Sequence, residues 1–486
     1  MKKKILSFFF TTMLCSTFLM TSAMATSSAP TTSSAPLNSS TSSTGSAPAT
    51  TSTPTLIPSP TDLTKNANAV YMVNLDTNTP MADVNKNEHE RIAPASTTKI
   101  MTAIVVLENV KNIDTEQVTI ENYMLDEFKN LGYTVSNAAL TTGEVITVRD
   151  LLYATMLQSA CDGANALAGY VGDGSIPTFV DMMNAKAEEL GLTDTHFMNA
   201  HGLDEDNHYS SAYDLAKLTE YAMDVPYFME ISSAIRWDFT TNLRSDTFAT
   251  TNMLADQVTW PDLYYPYVKG IKTGTTENAG SCLVSTATKS NVTYLLVVLG
   301  APDKGDTGPD GKPYTTKQAF PIAEELYEWA FNNFSIEPLL EEGELIQDVP
   351  LKMSWGKDFL QLKTNTAFSY LIPDQIDKSS ALRKFYLPKS VNAPVQEGDT
   401  IGYMEIILAD QVVGTVPLVA AETVERSGPL YVVTVLKTAT STIWFKLSIL
   451  FFILAIASFV VANVFLNHYR TTSTKIARAK RKNSGR

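Results

Sequence analysis

The stretch Ala93-Pro94-Ala95-Ser96-Thr97-Thr98-Lys99-Ile100-Met101 decides how the rest of the chain is read. Pro94 stands just ahead of Ile100, Met101, Ile104, Val105 and Leu107, which recur at helical spacing, so a buried helix is predicted to open here. Ser96 and Lys99 are one turn apart and share a face. A lysine on an otherwise apolar helix is costly to keep charged, and desolvation lowers its pKa. A neutral amine beside a serine hydroxyl can take its proton, which turns a poor nucleophile into a good one. Two later stretches, Ser159-Ala160-Cys161 and Lys272-Thr273-Gly274, are expected to form the other walls of the same site.

At 486 residues the chain is too long for one ordinary domain, and two or three folded units are expected. The net charge of −14 is unevenly spread: residues 467–486 are basic without a single acid, so the body is strongly acidic. Nucleic-acid binding, which needs a basic face, is therefore not expected. Of the three cysteines, Cys15 lies in an N-terminal apolar run. Cys161 and Cys282 read as two buried free thiols, since two cysteines make no disulfide framework.

Lys2-Lys3-Lys4, an apolar run and Ala23-Met24-Ala25 read as a secretory signal peptide over 1–25. Residues 26–61, almost all Ser, Thr, Ala and Pro, read as a disordered arm with too little apolar surface to offset ordering. A first strand is expected at Ala69–Val73, with a second before Ser96. Helices are expected over Val148–Leu157, from Asp162 as cap to about Val171, over Ile176–Leu190, and over Ser211–Met223 with Ser211 as N-cap. Strand-like runs at Tyr267–Thr273, Ser281–Ala287 and Val292–Leu299 suggest an antiparallel meander, closed by a helix over Thr316–Phe331. This gives an α+β unit over 62–336, an antiparallel sheet with flanking helices and a helical insert. Short strands and turns over 337–436 predict a small all-β domain. An apolar stretch within 443–466 is long enough to span a bilayer, and the basic tail 467–486 is expected to be cytoplasmic by the positive-inside rule.

Ser-x-x-Lys alone is weak evidence, and the chain holds a second match, Ser354-Trp355-Gly356-Lys357, as well as a Ser-x-Asn match, Ser390-Val391-Asn392. Both decoys follow Lys272-Thr273-Gly274 and fall in the β-rich region, where order and setting are wrong. The set Ser96/Lys99, Ser159/Cys161 and Lys272/Thr273/Gly274 occurs in the order and context of the S-x-x-K, S-x-N and K-T-G elements of penicillin-binding proteins and class A β-lactamases. With the longer matches Arg91–Lys99, Asn199-Ala200-His201-Gly202-Leu203-Asp204 and Val268–Gly274, the chain resembles the low-molecular-weight penicillin-binding proteins, the serine-type D-alanyl-D-alanine carboxypeptidases. The resemblance covers 62–336 strongly and extends more weakly to the β domain and the anchor.

The resemblance implies that Ser96 attacks the carbonyl between two D-alanines, with Lys99 as general base and Ser159 passing a proton to the leaving amine. The backbone N–H groups of Ser96 and Thr275 would form the oxyanion hole. Lys272 and Thr273, with Gly274 beside them, would hold the terminal carboxylate, and β-lactams would acylate the same serine. The implied partners are peptidoglycan stem peptides ending in D-Ala-D-Ala, β-lactam antibiotics and the cell membrane; no cofactor and no metal is expected. Cys161 departs from the family's usual asparagine, and a thiol is a weaker hydrogen-bond partner. The spacing of His196, His201 and His208 matches no standard metal-binding helix, and His201 reads as a structural residue near the cleft. Two rival readings stay open: a transpeptidase or β-lactamase on the same site, and a cell-surface binding protein without turnover. Between Asp162 and Lys272 no glutamate stands in the setting a class A deacylating base requires.

Overall fold

The computed structural model describes residues 64–129 and 135–483. The expected signal peptide and the whole Ser/Thr/Pro arm lie outside them. The central sheet is built from strands that alternate between two cores. In β1 (Ala69–Asn74), Ala69, Tyr71 and Val73 face one core, and Val70 and Met72 face the other. A two-residue β2 (Thr79–Pro80) pairs beside it. The expected second strand is this two-residue pair.

Two small pairs follow in the chain, β3 (Gln117–Thr119) with β4 (Val145–Thr147) and β5 (Arg236–Thr240) with β6 (Ser245–Ala249). The meander β7 (Val268–Thr276), β8 (Gly280–Lys289) and β9 (Val292–Ala301) completes the sheet. Its order is β2-β1-β9-β8-β7, antiparallel throughout. In β9, Leu295, Val297 and Leu299 join the first core while Leu296 and Val298 join the second, the period-2 pattern of a sheet covered on both faces.

The helical layer over the first core comprises α1 (Lys99–Asn109), the short α2 (Asn122–Leu125), α3 (Val148–Met156), α4 (Cys161–Val171), α5 (Ile176–Glu189), α6 (Ala212–Met223) and the short α7 (Phe228–Ser232). Ser211 caps α6 as expected: its side chain accepts the N–H of Asp214 at 3.1 Å. Asp162, expected as a cap, does something else. Helix α4 opens two residues earlier, behind Ala160, and the Asp162 carboxylate accepts the N–H groups of Ala138 (2.8 Å), Leu140 (3.0 Å) and Gly163 (2.9 Å). It ties the 135–140 stretch down over the helix start.

On the other face α8 (Ala319–Asn333) packs Phe320, Ala323, Leu326 and Tyr327 against the sheet. It begins three residues later than its periodicity suggested, and its last residue runs straight into β10 (Phe334–Leu340). Strand β10 pairs with β13 (Phe368–Pro373), and Leu371 belongs to the second core, so the expected boundary at 336/337 falls inside a shared strand pair. Beyond it β11 (Leu345–Lys352), β12 (Phe359–Thr364), β14 (Leu382–Tyr386), β15 (Val391–Asn392), β16 (Thr400–Leu408) and β17 (Gln411–Ala420) form one sheet around a third core that includes Leu360, Leu362, Met404 and Leu418. The chain ends in α9 (Gly428–Ser441) and α10 (Ile443–Asn483), and α10 is long and apolar enough to cross a bilayer.

Candidate active site

The first wall is a tight turn. Residues Ala95–Thr98 form one turn of 3₁₀ helix whose end runs into α1. Pro94 supplies the carbonyl that accepts Thr97 N–H (3.2 Å) and Thr97 Oγ1 (2.6 Å). Ala95 is left-handed at φ +48°, and this reversal sets Ser96 at the mouth of the turn and Lys99 one turn inward. Lys99 is fully buried. Its Nζ donates to the carbonyl of His201 (2.6 Å) and lies 2.9 Å from Ser96 Oγ and 3.4 Å from Cys161 Sγ. Burial pushes its pKa below the ordinary lysine value, opposed by the neighbouring Cys161 and Asp162. The amine expected from sequence to be near-neutral is therefore placed, by distance and by desolvation, to accept the Ser96 proton.

The second wall is the break between α3 and α4. Ser159 sits there at φ +60°, a conformation that aims its side chain into the cleft rather than along either helix. Cys161 opens α4, its N–H held by the carbonyl of Ser136 at 2.9 Å. Cys161 and Cys282 are both buried free thiols. Burial raises the Cys282 thiol to about 11, which leaves it inert.

Strand β7 is the third wall. Lys272 Nζ donates to Ser159 Oγ (3.0 Å) and to the carbonyl of Thr273 (2.8 Å). It is buried, and desolvation first, then the charge of Lys99, holds its pKa well down. Thr273 Oγ1 lies 2.6 Å from Thr251 Oγ1. Gly274 explains itself by contact: a Cβ there would come within 3.0 Å of Ala95 Cβ and 3.1 Å of Ser96 N. A side chain here would push the strand and the serine turn apart by a few tenths of an ångström. Thr275 follows in register with Ser281.

All eight residues expected from the sequence lie in or beside this cleft, and side-chain hydrogen bonds link Ser96, Lys99 and Cys161 across the first and second walls, and Ser159 and Lys272 across the second and third. Several contributors carried no sequence signal of their own. Lys317, just before α8, donates to Thr275 Oγ1 at 2.6 Å and so sets a second lysine side chain beside the Lys272-Thr273-Gly274 strand. It is one lysine in a polar loop, and only the fold brings it there. Gly202, at φ +83°, packs so tightly under the serine turn that a Cβ would lie 1.9 Å from the Ala95 carbonyl oxygen. The Asn199-Ala200-His201-Gly202 match was visible in sequence; its use of the His201 carbonyl as an anchor for Lys99 was not.

The three histidines each have a protein partner. His196 Nδ1 meets the Asn207 carbonyl (2.8 Å), and His201 Nε2 meets Glu127 (3.1 Å). His208 Nδ1 accepts Met198 N–H (3.0 Å), which leaves Nε2 to donate to Thr98 Oγ1 (2.8 Å) in the neutral ring. Burial lowers the His208 pKa to about 3, which favours that neutral form.

Set beside known proteins, residues 57–303 match the family described as D-alanyl-D-alanine carboxypeptidase, and residues 334–426 match the C-terminal domain of penicillin-binding protein 5. The D-alanyl-D-alanine carboxypeptidase DacF of Bacillus subtilis is 29% identical over 76% of this chain and 88% of its own length. The D-alanyl-D-alanine carboxypeptidase DacD of Escherichia coli is 30% identical over 70% of this chain and 82% of its own. Penicillin-binding protein 5 of Haemophilus influenzae has a crystal structure that superposes with a TM-score of 0.58, at 27% identity, over 74% of this chain and 98% of that one.

Proposed function

Because the chain belongs to the D-alanyl-D-alanine carboxypeptidase family and is a serine-type enzyme of that class, we propose that it trims the terminal D-alanine from peptidoglycan stem peptides through an acyl-enzyme on Ser96. The observation that carries this reading is the 2.9 Å approach of a fully buried Lys99 amine to Ser96 Oγ.

Lys99 takes the hydroxyl proton as Ser96 Oγ bonds to the carbonyl carbon between the two D-alanines. The backbone N–H groups of Ser96 and Thr275 steady the oxyanion that develops. As the C–N bond breaks, Ser159 passes its proton to the leaving amine and is resupplied with the proton that Lys99 took from Ser96, which returns Lys99 to the free base. Water, deprotonated by Lys99, then splits the ester and restores Ser96. The substrate's terminal carboxylate lies against Lys272, Thr273 and Lys317. Burial, then the charge of Lys99, disfavours the charged form of Lys272, and an arriving carboxylate supplies the opposite charge that favours it. Penicillins acylate the same serine, because they present a strained amide to the same nucleophile with a carboxylate in the same place.

The basic C-terminal end of α10 supports a cytoplasmic tail, with the folded domains on the outer side of the membrane. Cys161 favours a second reading of the acyl-enzyme's fate, transfer to an amine in place of water, because it gives Lys99 and the acceptor a weaker partner than an amide.

The test is release of free D-alanine from a pentapeptide ending in D-Ala-D-Ala by the detergent-solubilised full chain and its Ser96→Ala variant. Release by the parent that disappears in the variant, with a penicillin adduct mapped to Ser96, supports the proposal. Undiminished release in the variant overturns it. An adduct without release, but with transfer to added glycine, favours the second reading.

A further inference from the structure

Directly after α2, one turn of 3₁₀ helix over Asp126–Phe128 holds the ring of His201 from two sides. The Phe128 ring meets it edge-on, with centroids 5.4 Å apart and planes at 75°. Glu127 Oε2 lies 3.1 Å from His201 Nε2, and the same oxygen accepts Asn165 Nδ2 at 3.1 Å. His201 and Asn165 are both buried, whereas the Glu127 side chain is 48% exposed. One carboxylate thus reaches in from the surface to two buried donors on different elements. One donor belongs to the loop before α6, the other to α4, a turn beyond Cys161.

Burial disfavours a charged His201 ring. Its Nδ1 accepts the N–H of Leu203 at 3.2 Å, which puts the single ring proton on Nε2, where it is donated to Glu127. That hydrogen bond in turn holds the Glu127 carboxyl below its ordinary range. The ring matters because of the backbone it belongs to. The His201 carbonyl accepts the Lys99 amine at 2.6 Å, closer than Ser96 Oγ or Cys161 Sγ. The preceding carbonyl, Ala200, accepts Thr102 Oγ1 at 2.6 Å, so two successive peptide groups are docked on α1. Because His201 Nδ1 is bonded to the following peptide, the orientation of the ring and that of the backbone are coupled.

We propose that Glu127 is a positioning residue for the base: it holds the His201 ring in one orientation, so fixing the carbonyl on which the Lys99 amine rests, and through the same oxygen it ties that loop to the helix carrying Cys161. The proposal rests on the reading of Lys99 as the base for Ser96. Glu127 acts through His201 and not on the substrate. An amide at 127 keeps an oxygen that can accept from Nε2; a methyl group leaves both buried donors unpaired.

The detergent-solubilised full chain and its Glu127→Gln and Glu127→Ala variants are compared by acylation with a fluorescent penicillin across pH. Glu127→Ala is expected to lower the acylation rate at saturating penicillin by about 10- to 100-fold, with the half-saturating concentration little changed. Glu127→Gln is expected to recover most of that rate. A hydrogen bond to the carbonyl favours the charged amine, so its loss should also move the rising limb of the pH profile to lower pH in Glu127→Ala. The other groups around the pair, Cys161, Asp162 and Lys272 about Lys99 and Glu205 and His208 about His201, are the same in every variant. A Glu127→Ala protein with a lowered unfolding temperature but the parent's rate and limb has lost only stability, and overturns the proposal. Equal losses in Glu127→Gln and Glu127→Ala also overturn it, since the retained acceptor then counts for nothing. Where Glu127→Ala does not fold, Glu127→Asp decides. It keeps the charge but draws the oxygen back from His201, and a rate and limb equal to the parent's overturn the proposal. A parent without a rising limb removes Lys99 as the base and the proposal with it, a failure seen before any variant is made.

Discussion

The same four-residue pattern, Ser-x-x-Lys, occurs twice in this chain with opposite outcomes. At Ser96–Lys99 it spans one turn of helix at the edge of a core; Lys99 is fully buried and in contact with a hydroxyl, a thiol and a carbonyl. At Ser354–Lys357 it spans the bends between β11 and β12; the Lys357 side chain is 46% exposed and paired with a surface glutamate. Helical spacing puts the first pair on one face, and desolvation makes the amine a base. The second pair has neither. In the proposed function, what sets the first pair apart as nucleophile and base is the apolar helix around it, with Ile100, Met101 and Ile104 packed in the same core.

The contrast can be broken by substitution. Ser96→Ala is expected to lower D-alanine release by about 10⁴- to 10⁶-fold, whereas Ser354→Ala leaves it unchanged. Equal effects in the release assay would erase the distinction. Lys99→Arg keeps a cation but loses the base, and a drop of about 10²- to 10⁴-fold is expected, against no change for Lys357→Arg. The pH profile sharpens this. Burial lowers the Lys99 pKa, and the free base is the active form, so penicillin acylation should rise with pH through that lowered value and fall below it. A guanidinium stays protonated, so the Arg variant should show no such limb; its persistence would assign the base elsewhere.

Glycines at the two places offer a stability comparison. Gly202 and Gly356 both have positive φ, +83° and +87°, but only Gly202 is hemmed in, by the Ala95 carbonyl. Gly202→Ala should cost more than about 4 kcal/mol and Gly356→Ala about 1–2 kcal/mol, read from denaturant unfolding. Within the cleft the smallest effect is expected at Cys161. Cys161→Ala removes one weak contact of Lys99 and leaves those to Ser96 and His201, so release should change by less than about tenfold. A larger loss would promote the thiol from neighbour to participant.

Local pattern determined a large part of this protein. The apolar periodicity after Ser96, the alternation in β1 and β9, the Ser211 cap and the apolar run of α10 are properties of neighbouring residues, and short-range sterics and burial settle them. So was the membership of the cleft, because its three motifs each carry their residue types at fixed short spacing. What only the tertiary structure decided involves partners far apart in sequence. The Asp162 carboxylate closes over Ala138 and Leu140 instead of capping its helix; the His201 carbonyl anchors an amine 102 residues away; Lys317 reaches Thr275 from a polar loop; and β10 joins what composition divides. The physical reason is one of range. A cap, a strand or an amphipathic face is selected by the chain within a few residues, whereas a buried amine takes whichever acceptor the packed core brings to it, and that acceptor is chosen only when the whole domain closes.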